Sequence, residues 1–391
     1  MNPLNFYVML LLSGCICIFF TIQLVYYIVL YSKIYRRNNA LAKGKLTFTD
    51  ELPPISVIIC AKDELASLRE FLPSILNQDY PKFEVVVIND DPTDGSDDYL
   101  KLLEEQYDNL YHSFTPNSSR YISHKKLAIT LGIKASKYEW LVFTGANCKP
   151  ASKDWLRLVA RNFTPGTDIV LGAYGYEKGT NRFHTKTSFD TLFASIRTLG
   201  FALAGKPYTA CGRNLAYRKE LFYKNKGFAT QLNLQRGDDD LFINQTATAK
   251  NTRVETDANA VMWLKPLTLK KTWVEDKLNY IVTSGYYKGN QRYLLGLEST
   301  SRLLFYTACI CSIAYGIILQ NFILVGIAFL LWLVRYIVQG IVINKTSKSM
   351  GYEEVFRFSL PLFDIIQPIQ SFKFRILCLI RGKNEFMRNQ Y

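Results

Sequence analysis

Three consecutive carboxylates, Asp238-Asp239-Asp240, follow Arg236-Gly237 and stand where an apolar helical pattern opens at Leu241, Phe242 and Ile243. Acids at a helix start cap orphan amides and complement the dipole. Three adjacent carboxylates are more than capping requires, because their mutual repulsion raises the pKa of at least one. A carboxylate of raised basicity in a cleft is a candidate general base. Capping and base chemistry both remain open for this run on pattern alone.

Other polar clusters lie upstream, each at the end of an apolar run. Residues 55–60 (ISVIIC), 83–88 and 140–143 read as buried strands, and they break into AKDE, NDDPTDGS and TGANC. Helical patterns separate them, through Leu65, Leu68, Phe71, Leu72 and Ile75, then residues 99–107 and 125–136. Strand, helix, strand in alternation predicts an α/β fold with a mostly parallel sheet, right-handed crossovers and helices on both faces. The strand ends then share one edge, so Glu64, Asp90 and Asn147 should face a common cleft. Acidic groups there suit ribose hydroxyls, base amines or a divalent ion bridging to phosphate. Plain turn chemistry is the competing account of DDPTDGS. Further on, residues 168–174 read as a strand, 183–204 as a helix, and 207–217 (PYTACGRNLAY) as a glycine turn carrying Arg213 and Asn214.

The elements around this domain are of another kind. Residues 1–32 and 303–334 contain no charged side chain, and 49% of the 391 residues are apolar. The first stretch lacks a basic leader and a small-residue cleavage site, so it reads as an uncleaved anchor. The second is long enough for two crossings with Gln320-Asn321 as the turn, giving three spans with the amino terminus outside. Lys33, Arg36 and Arg37 follow the first span, and Lys345, Lys348, Lys373, Arg375, Arg381, Lys383 and Arg388 follow the last. The positive-inside bias therefore predicts a cytoplasmic domain. The net charge of +14 reflects topology and anionic lipid, not nucleic acid.

Arg335, in the last span, should snorkel or face another helix. Residues 270–302, basic and aromatic, suit the headgroup layer, and 356–380 suit an interfacial segment. Cys60, Cys148 and Cys211 have no metal-ligand spacing and read as small buried hydrophobes. The expected units are a span at 1–34, a linker at 35–52, an α/β domain at 53–268, a juxtamembrane segment at 269–301, a hairpin at 302–344 and a cytoplasmic or interfacial tail at 345–391.

Taken in order, ISVIICAKDE, VVVINDDPTDGS, KKLAITLGIKAS with EWLVFTGANCKP, ACGRNLAYRKELF and GDDDLFIN resemble the motifs of the family 2 glycosyltransferases. These are inverting enzymes of the Rossmann-like GT-A fold, and the resemblance covers residues 55–295. The membrane-anchored bacterial members are especially similar. The resemblance implies a UDP- or GDP-sugar donor contacted by Ala61, Glu64, Asp90, Lys126 and Asn147. It implies acceptor-side contacts from Gly212, Arg213 and Asn214, and a base from Asp238, with Asp239 and Asp240 as alternatives. A lipid-linked or glycan acceptor, a partner glycosyltransferase, cell-envelope polysaccharide or glycolipid assembly and the bacterial inner membrane follow from the same likeness.

Two departures accompany it. The family holds a divalent metal, Mg or Mn, with an Asp-x-Asp motif. Here those positions are Gly145-Ala146-Asn147, leaving Asn147 and Asp90 as the metal ligands on offer. Residues 276–280 (DKLNY) stand where relatives carry Gln-x-x-Arg, so Asn279 supplies no cation. Three readings stay open: an active transferase neutralising the diphosphate with Lys125, Lys126, Arg213 or an ion at Asp90 or Asp91; a transferase using a lipid-linked monophosphate sugar; and a non-catalytic membrane subunit.

Overall fold

The computed structural model describes residues 3–116, 123–179, 181–232 and 234–381; Lys383 and Arg388 of the expected basic tail lie outside them. Helix α1 (Pro3–Val25) continues through a π-helical turn (Tyr26–Tyr31) into α2 (Lys33–Ala42). The expected linker at 35–52 is thus helical in its first part. It is held there by contacts: Tyr27, Tyr31 and Ile34 are fully buried, and Asn38 Nδ2 donates to Thr256 O at 2.9 Å and Ser349 O at 2.8 Å.

The domain then alternates as its pattern predicts: β1 (Ile55–Ala61), α3 (Leu65–Leu76), β2 (Phe83–Asn89), α4 (Ser96–Glu104), β3 (Leu110–Phe114), α5 (His124–Ala135) and β4 (Trp140–Gly145). Strand β1 pairs in parallel with β2 and β4. Its Ile55, Val57 and Ile59 pack with Leu68 and Leu72, while Ile58 packs with Ile129 and Ile133. Both faces are covered, so the strand reads as unbroken apolar sequence.

There follow β5 (Cys148–Pro150), α6 (Trp155–Ala160), β6 (Ile169–Gly172), β7 (Tyr174–Tyr176), α7 (Arg182–Leu203), β8 (Leu215–Arg218), α8 (Lys219–Lys224), α9 (Asp240–Thr246), β9 (Thr252–Glu255) and β10 (Met262–Leu264). The seven-stranded sheet has the order β3-β2-β1-β4-β8-β6-β9, and β8 runs antiparallel to both its neighbours. A small sheet, β5-β10-β7, lies beside it. The expected single strand at 168–174 is divided between the two sheets at Ala173.

Helices α10 (Lys270–Ser284), α11 (Gln291–Ile318), α12 (Phe322–Ser349) and α13 (Leu360–Arg381) complete the chain. Among the described residues three helices are long and apolar enough to cross a membrane: Pro3–Ala42, Gln291–Ile318 and Phe322–Ser349. Arg335 faces its neighbours and does not snorkel: it is buried, with Nη1 2.7 Å from Asp364 Oδ2 and Nη2 donating to Gln23 Oε1 at 3.0 Å. Since Gln23 lies in α1 and Asp364 in α13, one arginine ties the two span groups and the last helix together.

Candidate functional site

Strands β1 and β4 end side by side, and beyond their carboxyl ends lies a cavity of about 310 Å³ lined by Glu64, Asn147, Lys125 and the Asp238–Asp240 run. Glu64 stands between β1 and α3, and Asn147 occupies the turn from β4 to β5. The acidic run reaches the cavity through a sharp turn. Gly237 has φ +105°, and a Cβ there would lie 2.6 Å from Leu241 Cδ1, so only glycine fits the approach to α9.

The three carboxylates sit in different surroundings. Asp238 Oδ2 lies 2.6 Å from the Lys125 ammonium. Burial pushes its carboxyl up, but the charge and hydrogen bond of Lys125, with the Arg236 charge, together outweigh burial and hold it below the ordinary range. Its other oxygen, Oδ1, is buried without a hydrogen-bond partner. Asp239 caps α9: Oδ1 accepts from Asp240 N at 2.8 Å, while Oδ2 accepts from Gly212 N at 2.8 Å and Tyr280 OH at 3.4 Å. Asp240 is held beneath by the Thr283 hydroxyl and by Tyr287 OH at 2.8 Å. Burial, then the neighbouring Asp239 charge, pushes it up to about 7. Glu64 is likewise pushed up to about 7 by burial, against the pull of Arg213, and its Oε2 is buried without a partner.

Four expected contacts are placed elsewhere. Lys126 turns away from the cavity: its ammonium is buried and donates to Gln231 O at 2.5 Å and Leu234 O at 2.9 Å, pinning the loop before the acidic run. Burial lowers its pKa to about 8. Lys125, one position earlier on α5, takes the place in the cavity. Asp90 lies outside the lining, engaged by the Thr115 hydroxyl and by His124 Nδ1 at 3.0 Å. Ala61 is buried and accepts from Asp90 N through its carbonyl at 2.7 Å, leaving Cys60 on the wall. Asn214 is a strut, donating to Ala173 O at 2.7 Å and Ala260 O at 2.8 Å and accepting from Trp155 Nε1 at 3.1 Å. Gly212 and Arg213 do line the cavity.

One wall lies beyond residue 268, where the domain was expected to end. Asp276, Asn279, Tyr280 and Thr283 of α10 line the cavity, and Asp276 Oδ2 is 3.5 Å from Arg213 Nη2. The basic and aromatic composition of this stretch suggested lipid headgroups. The available signal was the position of DKLNY after the acidic run, which is where relatives carry a motif. Cys211, Arg213, Asp276 and Tyr280 also line a second cavity of about 430 Å³.

The donor set at 145–147 is poor for a hard cation. Gly145 has no side chain, and Asn147 offers one neutral carbonyl, which accepts from Cys148 Sγ at 3.6 Å. Among the described residues no three His, Cys, Asp or Glu side chains converge in a way that could hold an ion. Cys60 and Cys148 are no nucleophiles, since burial pushes their thiols up to about 12 and about 11.

Residues 56–225 match the family model described as Glycosyl transferase family 2. The glycosyltransferase AglE of Haloferax volcanii is 28% identical over 149 residues, covering 37% of this chain and 47% of its own. The poly-beta-1,6-N-acetyl-D-glucosamine synthase of Staphylococcus aureus is 23% identical over 236 residues, covering 57% of this chain and 53% of its own. The chain thus spans about half the length of these curated relatives. A solved mannosyltransferase, PcManGT from Pyrobaculum calidifontis in complex with GDP-Man and Mn2+, superposes with a TM-score of 0.53 at 16% identity, covering 88% of this chain and 99% of that one. That likeness is one of fold.

Proposed function

We propose that this protein is a membrane-bound glycosyltransferase moving a sugar from a nucleotide-sugar donor to a lipid-linked acceptor with inversion, as part of bacterial cell-envelope assembly at the inner membrane. The observation that carries this reading is the cavity at the ends of β1 and β4, where Glu64, Asn147 and the acidic run meet. In a parallel sheet this is the ligand-binding edge.

Asp239 is the carboxylate best suited to act as base. Asp238 is neutralised by Lys125, and Asp240 is tied down by Thr283 and Tyr287. Asp239 lines the first cavity and is fixed by Gly212 N and by the hydroxyl of Tyr280, a residue that lines both cavities. In the transfer it takes the proton of an acceptor hydroxyl. The oxygen forms its bond to the anomeric carbon on one face while the bond to the diphosphate breaks on the other, and that electron pair leaves with the phosphate. Lys125, Arg236 and Arg213 line the same cavity and supply fixed positive charge to the leaving group. A divalent metal is a family trait. With one neutral carbonyl at 145–147, we infer that these cations carry the leaving-group charge in its place.

The test is transfer of labelled sugar from a panel of UDP- and GDP-sugars to membrane lipid extract by the full chain and by Asp239→Asn. A wild type no better than the variant across the panel would reject the enzyme and favour a non-catalytic, ligand-binding subunit. The replacement of Asp-x-Asp by Gly145-Ala146-Asn147 is the observation that favours that second reading.

A further inference from the structure

The second cavity leaves the first at Arg213 and Tyr280 and runs out between α11 and α13. On α11 its lining residues are Leu295, Gly296, Ser299, Thr300 and Leu303, and on α13 they are Pro368, Ser371, Phe372 and Arg375. Leu295 aside, both sets follow the same i, i+3, i+4, i+7 spacing, so each is one face of one helix. Two helices packed for stability would fill such faces with bulky apolar side chains. Here Gly296, Ser299, Thr300 and Ser371 fill little of the space between the two helices, and a slot remains.

The slot carries exposed apolar side chains on both helices. Leu303 and Phe372 of its lining are 43% and 66% exposed. Around Phe372, α13 turns Leu362, Ile369, Ile376 and Leu379 outward, all exposed. A helix with its apolar row outside is inverted for water and ordinary for the acyl boundary of a bilayer.

The lining is also cationic. Arg197, Arg213, Lys277 and Arg375 line the slot against a single carboxylate, Asp276. Arg197 is paired with Glu298 at 3.3 Å, and Lys277 only distantly with Asp190 at 3.9 Å. Arg375 is exposed and makes no ion pair among the described residues. A slot with exposed apolar side chains, a cationic lining and a wall at Tyr280, which bonds Asp239, matches one class of molecule: an amphiphile with a phosphate near its tail and a reactive hydroxyl beyond it.

We propose that this slot is the acceptor's berth, admitting a phosphate-bearing lipid sideways from the bilayer between α11 and α13. Arg375 and Lys277 hold the phosphate, and the head extends past Tyr280 to Asp239. This rests on the transferase reading for its direction, but the berth is testable by binding alone.

The experiment uses the full chain in phosphatidylcholine nanodiscs with labelled farnesyl phosphate as the probe. Farnesol supplies the tail without the charge, inorganic phosphate the charge without the tail, and phosphatidylglycerol an ordinary anionic lipid. The expected result is saturable binding of farnesyl phosphate, at least about tenfold tighter than the other three. Arg375→Gln with Lys277→Gln should weaken it by about tenfold or more, with UDP or GDP binding unchanged. Gly296→Leu is an independent plug, because a Cβ at Gly296 meets nothing within 4 Å and grows into open space without straining the helix. It should abolish probe binding and leave the melting temperature in place.

Equal binding of farnesol, displacement by phosphatidylglycerol at equal concentration, or full binding by both variants would overturn the berth. Probe binding without sugar transfer to any acceptor would instead leave the berth standing and remove the transferase reading.

Discussion

The Lys125 ammonium lies 2.6 Å from Asp238 Oδ2 inside the cavity. This contact separates two roles that the run Asp238-Asp239-Asp240 leaves merged. A carboxylate against a fixed cation is a weak base, so Asp238 orients and partly screens Lys125. The neighbouring Asp239, bonded to a backbone amide and to the phenol of Tyr280, which lines both cavities, keeps its place on the wall of the first.

Asp239→Asn is expected to lower kcat by about 10²–10⁴-fold, the usual worth of a positioned base, with nucleotide binding within a few-fold of wild type. Asp238→Asn should act mainly on donor KM, because it releases Lys125. Steady-state kinetics of both variants decides the matter. A deeper kcat loss in Asp238→Asn, with Asp239→Asn near wild type, would hand the base role to Asp238.

Leaving-group stabilisation by side chains has a direct consequence for ions. Transfer should persist in excess chelator, and Lys125→Gln should reduce kcat/KM by about ten- to a hundredfold without being rescued by Mn2+. Activity that disappears in chelator and returns with Mn2+ would show that an ion binds despite Gly145 and Asn147.

Asp240 gives the domain a characteristic pH response. Its carboxyl titrates at about 7 in the folded chain against an ordinary 3.8, chiefly through burial. Between those values folding takes up a proton, so stability falls as pH rises across the window and levels off above it. Glu64, also at about 7 through burial, acts in the same direction. Asp238, held low, contributes only at more acid pH. Asp240→Asn should therefore raise the melting temperature more at about pH 8 than at about pH 5. A gain larger at the acid end would contradict the burial of this group.

Much of the domain was legible because β1, β2 and β4 are buried on both faces, which leaves unbroken apolar runs with polar residues at their ends. Periodicity could not distinguish Lys125 from Lys126, since which of two adjacent lysines faces the cavity depends on the rotation of α5 against β1. Asp90 looked free in sequence because its partners, Thr115 and His124, arrive from other elements. The α10 wall was hidden for a similar reason: aromatic and basic residues line a sugar site and a headgroup layer alike. The slot between α11 and α13 needed the pairing of two helices distant in sequence.

The link between α13 and the spans makes the last prediction. Asp364 is fully buried and lies 2.7 Å from Arg335 Nη1 and 3.4 Å from Arg302 Nη1. Removing the acid takes the carboxylate from the buried Arg335 guanidinium, while Arg302 keeps Glu298, at a cost of about 3–5 kcal/mol for breaking such a pair. Because Ser371 and Arg375 ride on the same helix, Asp364→Asn should loosen α13 while β1 and β4 stay intact. Hydrogen exchange should rise across α13, and farnesyl phosphate binding should fall while UDP or GDP binding holds. Asp364→Leu with Arg335→Met should recover part of the stability, since an apolar pair replaces the charge. Uniform faster exchange throughout the chain, with nucleotide binding lost as well, would mean that Asp364 supports the whole fold and not the placement of one helix.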